Sequence, residues 1–266
     1  MPRLAWVTDL HLNFLSWERV GMVADALAAR SPDHLLVSGD TCEANGLERY
    51  LGLLAQRVGC PVWFVLGNHD FYRGSIAGVR AVAASLKHRV PGLAWLGGEG
   101  VVSLSAETAL VGCDGWADAR AGDWDGSRIE LNDYDLIAEL SGISKDERRK
   151  RLRSLGDEAG AHLRRVLAPA LASHRRAIVV MHPPPFAQAC LYEGGVSPPD
   201  WLPHLACVAA GSALRGASLA WPDREILVLC GHTHGGAQLQ VGPNLLVLVG
   251  EARYGMPELQ RMLDLP

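Results

Sequence analysis

Short, almost uninterrupted apolar runs recur along the chain: LAWVT (4–8), HLLVSG (34–39), VWFVLG (62–67), TALVGC (108–113), AIVVM (177–181), EILVLC (225–230) and NLLVLVG (244–250). Most are continuous rather than alternating, which suits strands covered on both faces. Helix-like stretches over about 17–33 and 46–57 separate the first three. Asp9 to Asp40 spans 31 residues and Asp40 to Asn68 spans 28, close to the roughly 30 residues of one βαβ unit. The first third therefore predicts parallel strands joined by crossover helices.

The middle of the chain has a different rhythm. GGEGVVSLSAETALVGCDGW predicts a hairpin that turns near Ala106-Glu107. A polar loop rich in Gly, Asp and Trp follows at about 115–132. A long helix is expected over about 144–172, because Leu152, Leu155, Ala159, Leu163, Val166, Leu167 and Leu171 repeat at helical spacing. No linker splits the chain. The expectation is one domain, 1–266, with a loop-plus-helix insertion at about 115–176.

Composition narrows the class without naming a chemistry. A chain of 266 residues that is 48% apolar and 20% charged is a large α/β domain rather than a disordered segment. A chain of this size buries on the order of 75% of its unfolded surface. The six cysteines form no C-x-x-C pair and are expected as free thiols. No apolar run approaches the ~18 residues of a membrane span, and the N-terminus carries no targeting pattern. A cytoplasmic protein that does not enter a membrane is the expectation. The formal charge of −4 does not favour nucleic acid as a partner. Residues 145–176 hold ten Lys/Arg against four Asp/Glu. Such a segment is either the solvated face of a helix or a basic wall for an anionic partner.

Candidate chemistry gathers where the apolar runs stop. They end in Asp9-Leu10-His11, Gly39-Asp40, Gly67-Asn68-His69-Asp70, Met181-His182 and Gly231-His232-Thr233-His234. In open α/β sheets, ligands sit beyond the carboxyl ends of the strands. Leaving so many buried polar groups unpartnered would cost roughly 1–3 kcal/mol each. Metal ions would resolve that cost. Imidazole and carboxylate without thiolate suit Mn, Fe, Zn, Ni or Co. Seven such groups are too many for one ion, and a shared carboxylate lets two ions lie ~3.5–4 Å apart and clamp a phosphoryl group.

The ordered set D-x-H, G-D-x-x-[D/E], G-N-H-[D/E], a later His and G-H-x-H resembles the calcineurin-like metallophosphoesterases, over about 9–234. The resemblance implies a four-layer α/β/β/α sandwich of mixed sheets, with the metal site at the strand C-terminal ends. It implies one metal held by Asp9, His11, Asp40 and His234. A second would be held by Asp40, Asn68, His182 and His232, with Asp40 bridging. Two divalent ions are thus the expected cofactors, Mn or Fe favoured. A water bridging two dications loses a proton near neutral pH and becomes the nucleophile. His69 is the expected acid for the departing oxygen, oriented by Glu43 according to the resemblance. Asp70 joins this catalytic group and is expected to hold a loop through backbone hydrogen bonds. Arg73 is the candidate phosphate clamp, since a guanidinium grips phosphate bidentately.

One departure is informative. Ala44 stands where the eukaryotic Ser/Thr protein phosphatases of this superfamily carry Arg, so the chain looks more like the small bacterial members. The expected reaction is phosphoester hydrolysis of a small molecule, with a lean to phosphodiesters. A phosphomonoesterase and a metal-dependent nuclease are the alternatives. A non-catalytic scaffold is the remote one, because His69 and every expected ligand are present. The segments 115–126, 183–195 and 251–255 are the candidate substrate walls, with Trp116, Trp124, Phe186 or Tyr192 available for stacking.

Overall fold

In the computed structural model, which describes residues 1–266, successive residues of each central strand enter different cores. On β1 (Arg3–Val7), Leu4 and Trp6 face one cluster while Ala5 and Val7 face another. This two-sided burial is why the runs are continuously apolar. After β1 come α1 (Trp17–Ala28), β2 (His34–Ser38), α2 (Leu47–Val58), β3 (Val62–Val65), α3 (Ile76–Arg89) and β4 (Leu93–Trp95). Strands β1, β2, β3 and β4 are mutually parallel. Helix α1 stops at Ala28, short of the expected 33, because Ser31 takes a left-handed conformation and Pro32 follows.

The second half repeats the logic. The hairpin of β5 (Val102–Ser103) and β6 (Thr108–Gly112) is followed by the short α4 (Asp133–Leu136), then α5 (Lys145–Ser173) and β7 (Arg176–Val180). A small hairpin, β8 (Leu191–Tyr192) and β9 (Gly195–Val196), precedes α6 (Val208–Ala220). The chain closes with β10 (Glu225–Cys230), β11 (Gly235–Gly242), β12 (Leu245–Glu251) and β13 (Arg261–Asp264). Ser144 and Glu147 form a reciprocal cap at the start of α5.

Two mixed sheets result. One has the order β13-β1-β2-β3-β4 and the other β11-β12-β10-β7-β6-β5. The outer strands β13, β11 and β5 run antiparallel to their neighbours. Leu36 and Val65 of the first sheet meet Leu110, Ile178, Val180 and Leu229 of the second in a core between the sheets. Helices α1, α2 and α3 cover the outside of the first sheet, and α5 and α6 cover the second. The four-layer α/β/β/α sandwich follows. Helix α5, within the segment expected as an insertion, is thus the outer cover of the second sheet. Two of its cations pair with acids elsewhere, Arg148 with Glu130 and Arg149 with Asp125, and Arg176 just beyond it pairs with Glu225. No helix is long and apolar enough to cross a membrane.

Candidate metal centre and its cleft

Each of the central strands β1, β2, β3, β7 and β10 hands a polar side chain to one edge of the sandwich within three residues of its end. These are Asp9 after β1, Asp40 after β2, Asn68 after β3, His182 after β7 and His232 after β10. The backbone ties the loops together across both sheets. Asp9 N–H donates to the Gly39 carbonyl at 3.1 Å, His11 N–H to that of Asp40 at 2.9 Å, and Gly231 N–H to that of His182 at 2.9 Å. Asp9, His11, Asp40, His232 and His234 all have positive φ, between 43° and 73°. For residues with a side chain this costs of order 1–3 kcal/mol each, and such strain collects at functional sites.

Two glycines make room for the carboxylates. A Cβ on Gly67 would run into the Asp40 carboxylate, and one on Gly231 into that of Asp9.

The side chains form two groups that share Asp40. Asp9, His11, Asp40 and His234 each place one ligand atom within 4.8 Å of all the others. His234 Nε2 is 3.3 Å from Asp9 Oδ1 and 3.2 Å from His11 Nε2. In the other group, Asn68 Oδ1 lies 2.9 Å from His232 Nδ1 and 3.2 Å from His182 Nε2. Asp40 Oδ2 is 3.3 Å from His182 Nε2, 3.8 Å from His11 Nε2 and 4.0 Å from His69 Nε2. The second oxygen, Oδ1, accepts the His69 backbone N–H at 2.8 Å.

Charge follows from this burial. Desolvation opposes the Asp40 carboxylate, yet His182 and His69 hold its pKa well below the usual range. Desolvation also opposes the His182 cation, but Asp40 pushes that ring up to about 10. His11 goes the other way, down to about 4, because burial dominates. Its Nδ1 is buried without a partner while its Nε2 faces the nitrogen of His234. Two carboxylates, a His11 ring that burial keeps neutral and the His234 nitrogen facing it, all converging on one point, are a donor set that fits a divalent cation.

The outer partners fix which atoms point inward. His182 Nδ1–H donates to the Ser38 carbonyl at 2.9 Å, so Nε2 faces inward. His232 Nε2–H donates to the His204 carbonyl at 3.0 Å, so Nδ1 does. Asp133 Oδ1 accepts from Asn68 Nδ2 at 2.8 Å and from Tyr72 Oη at 2.7 Å. The Asn68 amide is thereby turned with its oxygen to the histidines. Burial, then Asp133, raises the Tyr72 hydroxyl, which keeps its proton and donates. The Tyr72 ring stacks on His69 at 4.2 Å between centroids. Asp133, Tyr72 and His204 carried no signal in the sequence, since each acts through a contact with a segment distant in the chain or from a loop.

The remaining expected residues divide. Asp70 is fully buried and accepts backbone N–H groups of Asp40, Thr41, Cys42 and Gly67 at 2.8–3.0 Å. It ties the β2 loop to the β3 loop. Glu43 is not hydrogen-bonded to His69. Its carboxylate takes Arg73 Nε at 2.8 Å, and Arg73 itself is 62% exposed. Glu43 precedes a short helical turn without capping it, leaving its carboxylate free for Arg73, and the stack on Tyr72 supplies the contact that holds the His69 ring. Of the aromatic candidates, Trp116, Trp124 and Phe186 are core residues, because the long loops fold back onto the sandwich. Only Tyr192 reaches the cleft, joined by Trp201 and Tyr254. The cleft has a volume of about 640 Å³ and no lysine or arginine in its lining.

The family model for calcineurin-like phosphoesterases matches residues 2–236. No curated protein matches the chain. Among solved structures, the fold is similar to that of the phosphopantetheinyl hydrolase from Mycobacterium tuberculosis. That likeness has a TM-score of 0.69 and 18% identity, over 95% of this chain and 90% of that one. A dimetal phosphatase from Danio rerio is similar with a TM-score of 0.57 and 14% identity, over 94% of this chain and 87% of that one. A protein of Thermus thermophilus follows at 0.51 and 14%, over 94% and 89%.

Proposed function

The chain belongs to the calcineurin-like phosphoesterase family and is a metal-dependent phosphoesterase, and from that premise we propose that it hydrolyses phosphodiesters at the cluster around Asp40. The observation that carries the diester reading is the charge of the cleft, whose lining holds no lysine or arginine. A phosphomonoester brings a second negative charge that no lysine or arginine there would meet, whereas a diester brings one. The same observation disfavours a nuclease, which would track further phosphates with cations.

Asp9, His11, Asp40 and His234 would hold one divalent ion, and Asp40, Asn68, His182 and His232 the other. When bound, the ions supply charge for the phosphoryl oxygens and acidify water. The chain's own side chains do the rest. The Ser38 and His204 carbonyls set the tautomers of His182 and His232. Asp133 turns Asn68 and anchors Tyr72. His69, held against Tyr72 at the floor of the cleft, gives a proton to the departing oxygen. Mixed nitrogen and oxygen donors accept several ions, and Mn²⁺ is the first to test.

The test is hydrolysis of bis(p-nitrophenyl) phosphate beside p-nitrophenyl phosphate, on metal-stripped protein refilled with Mn²⁺. The diester should be favoured in kcat/KM by about tenfold or more, some 1.4 kcal/mol in the barrier. Preference for the monoester would overturn the reading. A phosphopantetheinyl ester, the group named for the mycobacterial relative, is the next diester to try.

A further inference from the structure

The cleft is amphipathic. Its floor is Asp40, Asn68, His69, His232 and His234, while one wall is Leu131, Leu191, Tyr192, Trp201 and Leu205. That wall lies outside both main sheets, on the loop before α4, the β8–β9 hairpin and the segment after it. At about 640 Å³ the space is far larger than a phosphoryl group needs and matches a site for a whole small molecule. Tyr192 and Trp201 are 62% and 40% exposed. Neither ring packs on another aromatic, neither carries an arginine or lysine over its face, and neither side chain makes a hydrogen bond within the protein. Two large rings left uncovered beside a catalytic floor have an occupant in the substrate rather than in the fold. The charge of the space says what that occupant is. No lysine or arginine lines it, and Arg148 and Arg149 of α5 are paired with Glu130 and Asp125, so further anionic groups on the substrate would go unmet.

We infer that one ester arm of the substrate is uncharged and largely apolar, and that it lies on this wall with Trp201 and Tyr192 as the specificity-determining side chains; this rests on the phosphodiester reading and extends it to the substrate class. The floor holds the phosphoryl group and the wall chooses the arm. Nucleoside di- and triphosphates and nucleic acid strands are the wrong class for such a wall, since they place charge where it offers no cation.

The experiment uses the full chain loaded with Mn²⁺ and three diesters that share p-nitrophenolate as leaving group and differ in the other arm: methyl, phenyl and 4-carboxyphenyl. The phenyl ester should exceed the methyl ester in kcat/KM by about tenfold, mainly through KM. The carboxyphenyl ester should fall below the phenyl ester. Trp201→Ala and Tyr192→Ala should each shrink the phenyl-to-methyl ratio toward unity, and Trp201→Phe should restore most of it. Equal rates for all three arms, or a ratio indifferent to Trp201→Ala, would overturn the inference while leaving the diester reading intact. If no diester is turned over, that reading falls. Calorimetric binding of diphenyl phosphate against dimethyl phosphate still tests the wall, which requires tighter diphenyl binding that weakens in Trp201→Ala. Equal binding of the two rejects it.

Discussion

Asn68 can serve a cation only with its carbonyl oxygen turned toward His182 and His232, and Asp133 decides that orientation by taking both Asn68 Nδ2 and the Tyr72 hydroxyl. Asp133→Ala frees the amide and the tyrosine together. Calorimetry with Mn²⁺ should then show the second of two ions bound some 10–100-fold more weakly, the usual cost of losing an outer partner. Asp133→Asn keeps an acceptor in place and should recover most of that loss. Unchanged binding in both variants would remove Asp133 from the site. The proposed role of His69 makes a separate prediction. If it protonates the departing oxygen, His69→Ala should cut kcat by about 10²–10⁴-fold for an alkyl leaving group. The cut should be much smaller for p-nitrophenolate, which leaves without a proton. An equal loss for both leaving groups would point to a role in binding.

The unit that builds the site is the strand end with its loop. Each loop begins inside the sandwich, turns sharply, and presents its side chain to loops from the facing sheet. The sharpness shows in the left-handed backbone of Asp9, His11, Asp40, His232 and His234. It also explains why glycine stands at Gly67, where a Cβ would collide with Asp40. Gly67→Ala should therefore lower stability by about 1–3 kcal/mol and reduce the bound Mn²⁺ measured by metal analysis. Gly52→Ala in α2, where an added Cβ meets nothing, is the control and should stabilise by roughly 0.5–1 kcal/mol. A Gly67→Ala protein with full stability and metal content would mean that the loops carry slack. The strand ends were legible in the sequence because apolar runs rarely stop on Asp, Asn and His. The Tyr72 support of His69 was not legible, and Glu43, expected in that place, is bonded to Arg73.

The site joins two sheets, so its stability is a property of the whole molecule. His204 is buried beneath His232, with Ser127 and Tyr134 on its ring nitrogens. Burial, then Lys145 and Arg148, push its pKa down to about 4. The unfolded chain takes up this proton near pH 6.5 and the folded chain only near 4. The stability that His204 contributes is therefore full above about pH 6.5 and is lost as pH falls toward 4, up to roughly 3 kcal/mol. Thermal midpoints measured from pH 7 to 4 should fall less steeply in His204→Gln, which keeps the backbone carbonyl that His232 uses. Identical slopes would show that His204 is not the group titrating. By itself the sequence determined the parallel βαβ opening, the hairpin at β5 and β6, and the polar strand ends, because these depend on local periodicity and on neighbours a few residues away. Tertiary structure alone decided that Trp116, Trp124 and Phe186 are core. It alone decided that Trp201 and Tyr192 line the cleft, and that Asp133 and His204 support its ligands. Those roles are set by which surfaces of two separately wound halves meet, and contacts between residues 28 and 65 positions apart leave no period in the chain.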